Sequence, residues 1–177
     1  EIKKTLIYIG RFSEQKNLAS LSKALKNTKI KLIIVGNGSE NEKKSLENSL
    51  SNNKVNFKFF KRTNQNNLKK IINLADAFIL PSLYEGNPKI LIEMMSFKIP
   101  IITTKVPGVA NLINNKSCLL APNPTEKNIR TSILEFYKLN KEKKKLLTQN
   151  AYKISLKYSL EKICKKESDL YKLLNEK

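Results

Sequence analysis

The sequence predicts one three-layer α/β domain, in which helices cover both faces of a parallel sheet of about six strands. The apolar runs Thr5–Ile9 and Ile30–Val35 are each followed at once by a glycine and then by apolar residues at helical spacing. Short strands that alternate with helices of about ten or more residues are typical of parallel sheets with right-handed crossovers. At 177 residues the chain has the length of a single domain with its own core.

Four further apolar runs complete the predicted sheet, and we assign them as strands Val55–Phe60, Ala77–Leu80, Pro100–Thr104 and Ser117–Leu120. Helices are predicted between the strands, and Ser39 with Glu42 forms a capping box at the start of the second helix. From Thr125 onward the spacing predicts helix to the end of the chain, with breaks near Asn140 and Tyr158. In such a sheet ligands bind at the carboxyl ends of the strands, so Gly10, Gly36 and the loop after Leu80 should share one edge.

The charge balance favours anionic partners. The net charge of +19 comes from 34 Lys plus Arg against 15 Asp plus Glu, which suits nucleotides, nucleic acid or an acidic lipid surface. Most of the lysines recur among Asn and Ile along the whole chain, which favours solvated surface positions. The chain starts at Glu1 close to its first strand, and we therefore expect it to be part of a longer protein.

Several chemistries are excluded by missing residue types. The sequence has no His, and its aspartates Asp76 and Asp169 are isolated, so a His triad, a His zinc site and an Asp-x-Asp metal clamp are absent and we expect no metal. Cys118 and Cys164 lack motif spacing, and no run approaches the roughly 18 apolar residues of a membrane helix. We therefore expect a cytoplasmic protein whose chemistry depends on Glu, Lys, Arg and backbone amides.

The most informative segment is 81–93, PSLYEGNPKILIE. Asn87 is a favourable N-cap and Pro88 a favourable first helical residue, and Gly86 allows backbone to approach a ligand closely. The amides then left without helical partners are those of Lys89, Ile90 and Leu91. Free amides at the positive end of a helix dipole predict an anion site.

Two carboxylates bracket this anion site in a stretch otherwise poor in Glu. Glu85 lies in the loop and Glu93 on the helix that follows. A carboxylate accepts hydrogen bonds from sugar or ribose hydroxyls, which gives this pair a role beside a bound anion.

The spacing of Glu85 and Glu93 after Pro81-Ser82 resembles the signature of the family 4 retaining glycosyltransferases, whose GT-B fold has two Rossmann-like domains. The resemblance covers nearly the whole chain, through the segments 8–17 (YIGRFSEQKN), 34–40 (IVGNGSE), 75–76 (AD) and 100–104 (PIITT). It departs from the family at Lys98, where a Gly is usual, at Gly108, which is displaced, and at Asn111, where a Glu is frequent.

The resemblance implies that residues 1–177 are the donor-binding C-terminal half of such an enzyme, and that an N-terminal acceptor domain is missing. It implies metal-independent, retaining transfer of a hexosyl residue from a UDP- or GDP-sugar to a glycan or lipid-linked acceptor, in the synthesis of a surface polysaccharide. The isolated half should bind donor but turn over poorly.

The resemblance also implies roles for the residues of the site. Arg11 and Lys16, which follow Gly10, would hold the diphosphate, in agreement with the need for fixed cations beside a leaving diphosphate. Glu93 would bind the ribose hydroxyls, and Glu85 is the candidate catalytic residue. The remaining contacts would be Gly86 and the amides from Asn87 to Leu91 for sugar and phosphate, with Arg62 and Thr63 beside the base.

Two other functions are compatible with parts of the pattern. A basic nucleic-acid module would need exposed stacking aromatics, whereas most aromatics here occupy core-like positions, so we expect no nucleic-acid partner. A sugar-nucleotide epimerase could share the segment with paired glutamates. The cluster Lys141, Lys143, Lys144 and Lys145 predicts a solvated helix face, with peripheral contact with an anionic membrane at the inner face of the cell as the alternative.

Overall fold

The computed structural model describes residues 4–61, 63–158, 162 and 165, and it confirms the predicted Rossmann-like α/β class. Six parallel strands form one sheet in the order β3-β2-β1-β4-β5-β6. Their bounds are β1 Thr5–Arg11, β2 Lys31–Asn37, β3 Asn56–Phe60, β4 Ala77–Leu80, β5 Ile101–Thr104 and β6 Leu119–Ala121. The predicted strands agree with these bounds to within two residues.

Seven α-helices are found among the described residues, and five of them connect consecutive strands. Their bounds are α1 Leu18–Ala24, α2 Glu40–Asn52, α3 Gln65–Ile72, α4 Lys89–Ser96, α5 Pro107–Ala110, α6 Glu126–Lys138 and α7 Lys141–Ser155. Helix α1 packs against α2 and α6, and α4 packs against α7, on the two opposite faces that right-handed crossovers produce. The capping box of Ser39 and Glu42 is confirmed at the start of α2.

The predicted breaks in the helical tail lie close to their expected places. Asn140 separates α6 from α7, and its side chain accepts a hydrogen bond from the amide of Lys143, which caps α7. Helix α7 ends at Ser155 and a 3₁₀ turn covers Leu156–Tyr158. Of the predicted helix beyond this turn, the structure describes only residues 162 and 165, and both are helical.

The core is built from strands that are buried on both faces. All four residues of β4 and of β5 are buried, as are the first four residues of β1. Burial raises the pKa of the free Cys118 thiol to about 12, consistent with an ordinary packed residue, while Cys164 is outside the described residues. In the described part of the chain, every helix is too short or too polar to cross a bilayer.

Gly10 and Gly36 lie opposite each other in the register of β1 and β2. A Cβ on Gly36 would overlap the carbonyl oxygen of Gly10, so a side chain would push the ends of these two strands apart. The glycines therefore allow the ends of β1 and β2 to approach closely next to Arg11, the last residue of β1.

Candidate functional site

The loop after β1 is bound to the loop after β4 by three hydrogen bonds at the carboxyl edge of the sheet. The Leu83 amide donates to the Gln15 carbonyl oxygen over 2.9 Å, and Gln15 Nε2 donates to the Tyr84 carbonyl oxygen over 2.9 Å. Asn17 Nδ2 donates to the carbonyl oxygen of Pro81 over 3.0 Å. These bonds join segments that are far apart in the chain, and they determine where the side chains of both loops lie.

A largely buried ion pair connects the same loops. Lys16 Nζ lies 2.6 Å from Glu85 Oε1, and the two side chains are only 13% and 6% exposed. Ser82 Oγ donates to the same carboxylate oxygen over 2.6 Å. Because the pair is shielded from water, the charges interact strongly and the Glu85 carboxylate is held in one orientation.

The loop that carries Glu85 is supported from β5 and α5 as well. Thr104 Oγ1 donates to the Ser82 carbonyl oxygen over 2.6 Å, and the Gly108 amide donates to the Glu85 carbonyl oxygen over 3.2 Å. A Cβ on Gly108 would overlap the carbonyl oxygens of Glu85 and Gly86. The displaced glycine of the sequence comparison therefore allows a close backbone contact beneath the candidate catalytic residue.

Beside this loop, an open pocket of about 400 Å³ lies between the ends of β1 and β2 and the start of α4. We call it the rim pocket. The predicted site residues that line it are Gly10, Arg11, Thr63, Ile90 and Glu93, and Gly36 lines it as well. Arg11 supplies a guanidinium and Glu93 a carboxylate, both exposed to solvent. The predicted base-binding residue Arg62 is outside the described residues.

The start of α4 differs from the prediction. Pro88, not Asn87, is the N-cap, and its ψ of 79° is not helical, so the helix starts one residue later at Lys89. The amide of Lys89 donates to the Asn87 carbonyl oxygen over 2.9 Å, and that of Leu91 to the Pro88 carbonyl oxygen over 2.8 Å. The prediction that all three amides of this turn are free is therefore wrong, because two of them are used within the turn.

The other predicted residues of this segment have different surroundings. Gly86 and Asn87 are exposed, and a Cβ on Gly86 would meet nothing within 4 Å, so no protein contact requires a glycine there. The side chains of Pro88 and Leu91 are buried. Any direct role of these two residues in binding is therefore restricted to their backbone.

Sequence reasoning missed Tyr8, which supports the site from below. Its side chain is fully buried, and its hydroxyl donates to the Arg11 carbonyl oxygen. A Cβ on Gly10 would come 2.6 Å from that hydroxyl, so Gly10 makes room for it. Burial, and then the negative charge of Glu85, raise the pKa of Tyr8 above its usual range, while Arg11 lowers it. In the sequence, the role of Tyr8 is indicated only by the presence of a tyrosine within the apolar run of β1.

Within the described residues, no group of three or more His, Cys, Asp or Glu side chains is placed to hold a metal ion. The charged groups of the site are instead two cations, Arg11 and Lys16, and two carboxylates, Glu85 and Glu93. Cations and carboxylates around a pocket at the carboxyl edge of a doubly wound sheet are the features of a nucleotide-binding domain.

Comparison with known proteins identifies the family. The family model described as glycosyl transferases group 1 matches residues 1–154, and the chain belongs to this family. It is 26% identical over 172 residues to an uncharacterised glycosyltransferase of Methanocaldococcus jannaschii, covering 96% of this chain and 48% of that protein. A putative teichuronic acid biosynthesis glycosyltransferase of Bacillus subtilis is 28% identical over 116 residues, or 64% of this chain and 28% of that protein.

A solved structure shares the fold. Anabaena Alr3699/HepE in complex with UDP and glucose superposes with a TM-score of 0.81 at 15% identity, over 98% of this chain and 48% of that one. The chain thus spans about half the length of this structure and half or less of the curated relatives it matches.

Proposed function

We propose that residues 1–177 form the donor-binding half of a two-domain glycosyltransferase that uses a UDP- or GDP-sugar. The proposed reaction is retaining, metal-independent transfer of a hexosyl residue. Membership of the transferase family favours transfer over epimerisation of a sugar nucleotide.

The observation that carries this proposal is the convergence of Arg11 and Glu93 on the rim pocket, together with the buried pair of Lys16 and Glu85 in the loops that continue from β1 and lead into α4. These residues come from two separate segments of the chain, 11–16 and 85–93, which meet at one edge of the sheet. A nucleoside diphosphate sugar has matching groups, since it presents an anionic diphosphate next to ribose hydroxyls.

In the proposed complex the rim pocket holds the nucleotide. Arg11 donates charge-assisted hydrogen bonds to the diphosphate, and Glu93 accepts hydrogen bonds from the ribose hydroxyls. Lys16 has three donors, of which one is used by Glu85, so its ammonium can serve the carboxylate and a phosphate oxygen together. Thr63 and Arg62 flank the base, and the Ile90 amide adds a donor at the start of α4.

Glu85 is the proposed catalytic residue at the sugar. When the bond between the anomeric carbon and the diphosphate oxygen breaks, positive charge develops on the sugar and negative charge on the leaving diphosphate. The carboxylate of Glu85 faces the first charge, while Arg11 and Lys16 neutralise the second. The contacts from Ser82 and Lys16 fix this carboxylate in advance of binding.

The acceptor is proposed to be a glycan or a lipid-linked glycan of a surface polysaccharide, bound mainly by a second domain outside residues 1–177. This choice is supported by the relative assigned to teichuronic acid biosynthesis. The proposed location is the cytoplasm, with peripheral contact at the inner face of the cell membrane as the alternative.

Calorimetric titration of the domain with UDP, GDP and their glucose conjugates tests the donor assignment. We expect binding of one nucleotide at micromolar to millimolar concentration, and the diphosphate should contribute most of the affinity. Absence of heat with all four compounds up to millimolar concentration would contradict the proposal. The chain joined to its N-terminal half is needed to measure turnover and the configuration of the product.

A further inference from the structure

A second and larger cavity, of about 890 Å³, lies at the amino edge of the sheet. It runs between the turn that leads into β5 and one side of α7. We call it the basic groove and define it by Lys98, Pro100, Lys144, Lys145, Tyr152 and Lys153. Because Pro100 precedes β5 whereas the rim pocket follows the ends of β1 and β2, the two cavities lie at opposite edges of the sheet.

The lining of the groove carries positive charge alone. Four of its lining residues are lysines, and no Asp or Glu is among the described residues that line it. The α7 residues of the lining form the adjacent pairs 144/145, 148/149 and 152/153, which repeat every four positions and therefore lie on one side of the helix. The positive charges of the groove lysines repel one another across the cavity, and a bound anion would relieve that repulsion.

Lys98 has an unusual backbone for a lysine. It follows the end of α4 in the left-handed region, with φ of 57°, and its amide donates to the Met95 carbonyl oxygen over 3.1 Å. Glycine normally occupies this helix-terminating position, because a Cβ is strained there. The resemblance to the glycosyltransferase family also leads to a glycine at this position.

The lysine that replaces this glycine points into the groove. Lys98 Nζ lies 4.2 Å from the centroid of the Tyr152 ring on α7. This cation–π contact positions the Lys98 charge in a groove whose apolar lining residues include Pro100 and Leu156. Lys54 also lies in the left-handed region, with φ of 53°, so the combination of this backbone with the Tyr152 contact is what distinguishes Lys98 among the described lysines.

We propose that the basic groove is a second anion site, separate from the donor pocket, and that it binds a ligand bearing a multiply charged phosphate group. Ammonium groups bind phosphate as point charges, and Lys98, Lys145 and Lys153 offer three of them. The fourth lysine, Lys144, places its Nζ 4.5 Å from the centroid of the Phe136 ring on α6. The volume fits an organic phosphate or a lipid head group with attached carbon atoms better than a bare ion. The inference does not depend on the proposed transferase function.

The first test is an NMR titration of the ¹⁵N-labelled domain with inorganic pyrophosphate. We expect saturable shifts of the Lys98, Thr148 and Tyr152 amides, which are distinct from the Gly10 and Gly36 amides that report on the rim pocket. The groove variant is Lys98→Asn with Lys145→Gln and Lys153→Gln. Asn tolerates the left-handed region and Gln suits a helix surface, so this variant should remain folded.

The affinity for pyrophosphate, measured from the shifts of the groove amides, should fall about tenfold in the groove variant. It should also fall when the salt concentration is raised. The control variant is Lys23→Gln with Lys44→Gln and Lys127→Gln, which removes the same charge from exposed positions on α1, α2 and α6. It should bind pyrophosphate at the groove as the unchanged domain does. Equal shifts in the groove variant and the unchanged domain would overturn the assignment.

The second test separates a free phosphate from a lipid head group. Co-sedimentation is measured with vesicles of phosphatidylcholine alone and with vesicles that also contain phosphatidylglycerol. Anionic vesicle binding that is lost in the groove variant but kept in the control variant identifies a lipid head group as the source. Pyrophosphate binding without vesicle binding identifies a soluble phosphate, and absence of both would overturn the proposal.

Discussion

The two edges of the sheet use lysine in different ways. At the carboxyl edge, Lys16 is 13% exposed and lies 2.6 Å from the Glu85 carboxylate, so its charge is compensated and its geometry is set. At the amino edge, the lysines of the basic groove face a cavity that no described carboxylate lines. In a chain of net charge +19, the number of lysines in a region therefore does not identify a functional site. Burial and pairing determine whether a lysine orients a neighbouring carboxylate or is available to bind an anion.

The largest expected effect follows from removing the carboxylate of the buried pair. Glu85→Ala leaves the Lys16 ammonium without its partner in a poorly hydrated position, and we expect the free energy of unfolding to fall by about 3 kcal/mol. Urea denaturation measures this loss. The matched control is Glu93→Ala, an exposed carboxylate whose removal should change stability by no more than about 0.5 kcal/mol. Equal losses in the two variants would remove the distinction between the buried pair and the open pocket.

The rim pocket should show the opposite response, with affinity affected and stability preserved. Arg11→Ala and Glu93→Ala should each weaken binding of the nucleotide by about 1–3 kcal/mol, because each removes charge-assisted hydrogen bonds to the ligand. Calorimetry with UDP or GDP measures the change. Lys145→Ala, at the other edge of the sheet, is the control and should bind nucleotide normally. Unaltered affinity in both rim-pocket variants would place the nucleotide elsewhere.

Tyr8→Phe tests the support beneath the rim pocket. The variant leaves the Arg11 carbonyl oxygen without its buried donor, and we expect a loss of about 1.5 kcal/mol in the free energy of unfolding. Nucleotide affinity should fall less than in Arg11→Ala, because the guanidinium remains. Urea denaturation and calorimetry measure the two effects, and an affinity loss larger than that of Arg11→Ala would contradict this order.

The same tyrosine predicts a dependence on alkaline pH. Because the pKa of Tyr8 is raised in the folded state, its contribution to stability is complete below the unfolded-state pKa of about 10 and is lost as the pH rises toward the folded-state pKa. The free energy of unfolding should therefore fall above this pH, and less steeply in Tyr8→Phe. Denaturation curves across alkaline pH measure the slopes, and identical slopes would show that Tyr8 is not the group responsible.

The smallest expected effect concerns the backbone of the basic groove. Lys98→Gly and Lys98→Ala both remove the ammonium, but only alanine keeps a Cβ in the left-handed region. We expect the glycine variant to be more stable by about 1 kcal/mol. Thermal or urea unfolding compares the two directly. Equal stability would mean that this position is not strained by a side chain.

Local patterns predicted most of the fold. Strand β4 was predicted with the bounds that the structure has, because its four buried residues are followed at once by Pro81. Strand β6 starts two residues later than predicted. The amides of Ser117 and Cys118 both donate to the Asn114 carbonyl oxygen, so a turn uses groups that the apolar pattern alone assigned to a strand.

The candidate site was predictable in part. Parallel strands bring their carboxyl ends to one edge, and this rule alone placed Arg11 beside the segment that carries Glu93. The first turn of α4 was predicted incorrectly, since Pro88 can be either the N-cap or the first helical residue, and its ψ angle depends on the loop around it. Lys16 was predicted as a diphosphate ligand, but its ion pair with a residue 69 positions away depends on how the two loops pack.

The alternation of strands and helices, the residue types at the carboxyl edge and the absence of His could all be read from the sequence, because they depend on local spacing and composition. The pairing of Lys16, the support of Arg11 by Tyr8 and the contact of Lys98 with Tyr152 emerge only in the folded chain. These contacts join residues from different elements. Their energies depend on burial and on the path of the connecting loops, neither of which is encoded in a short stretch of sequence.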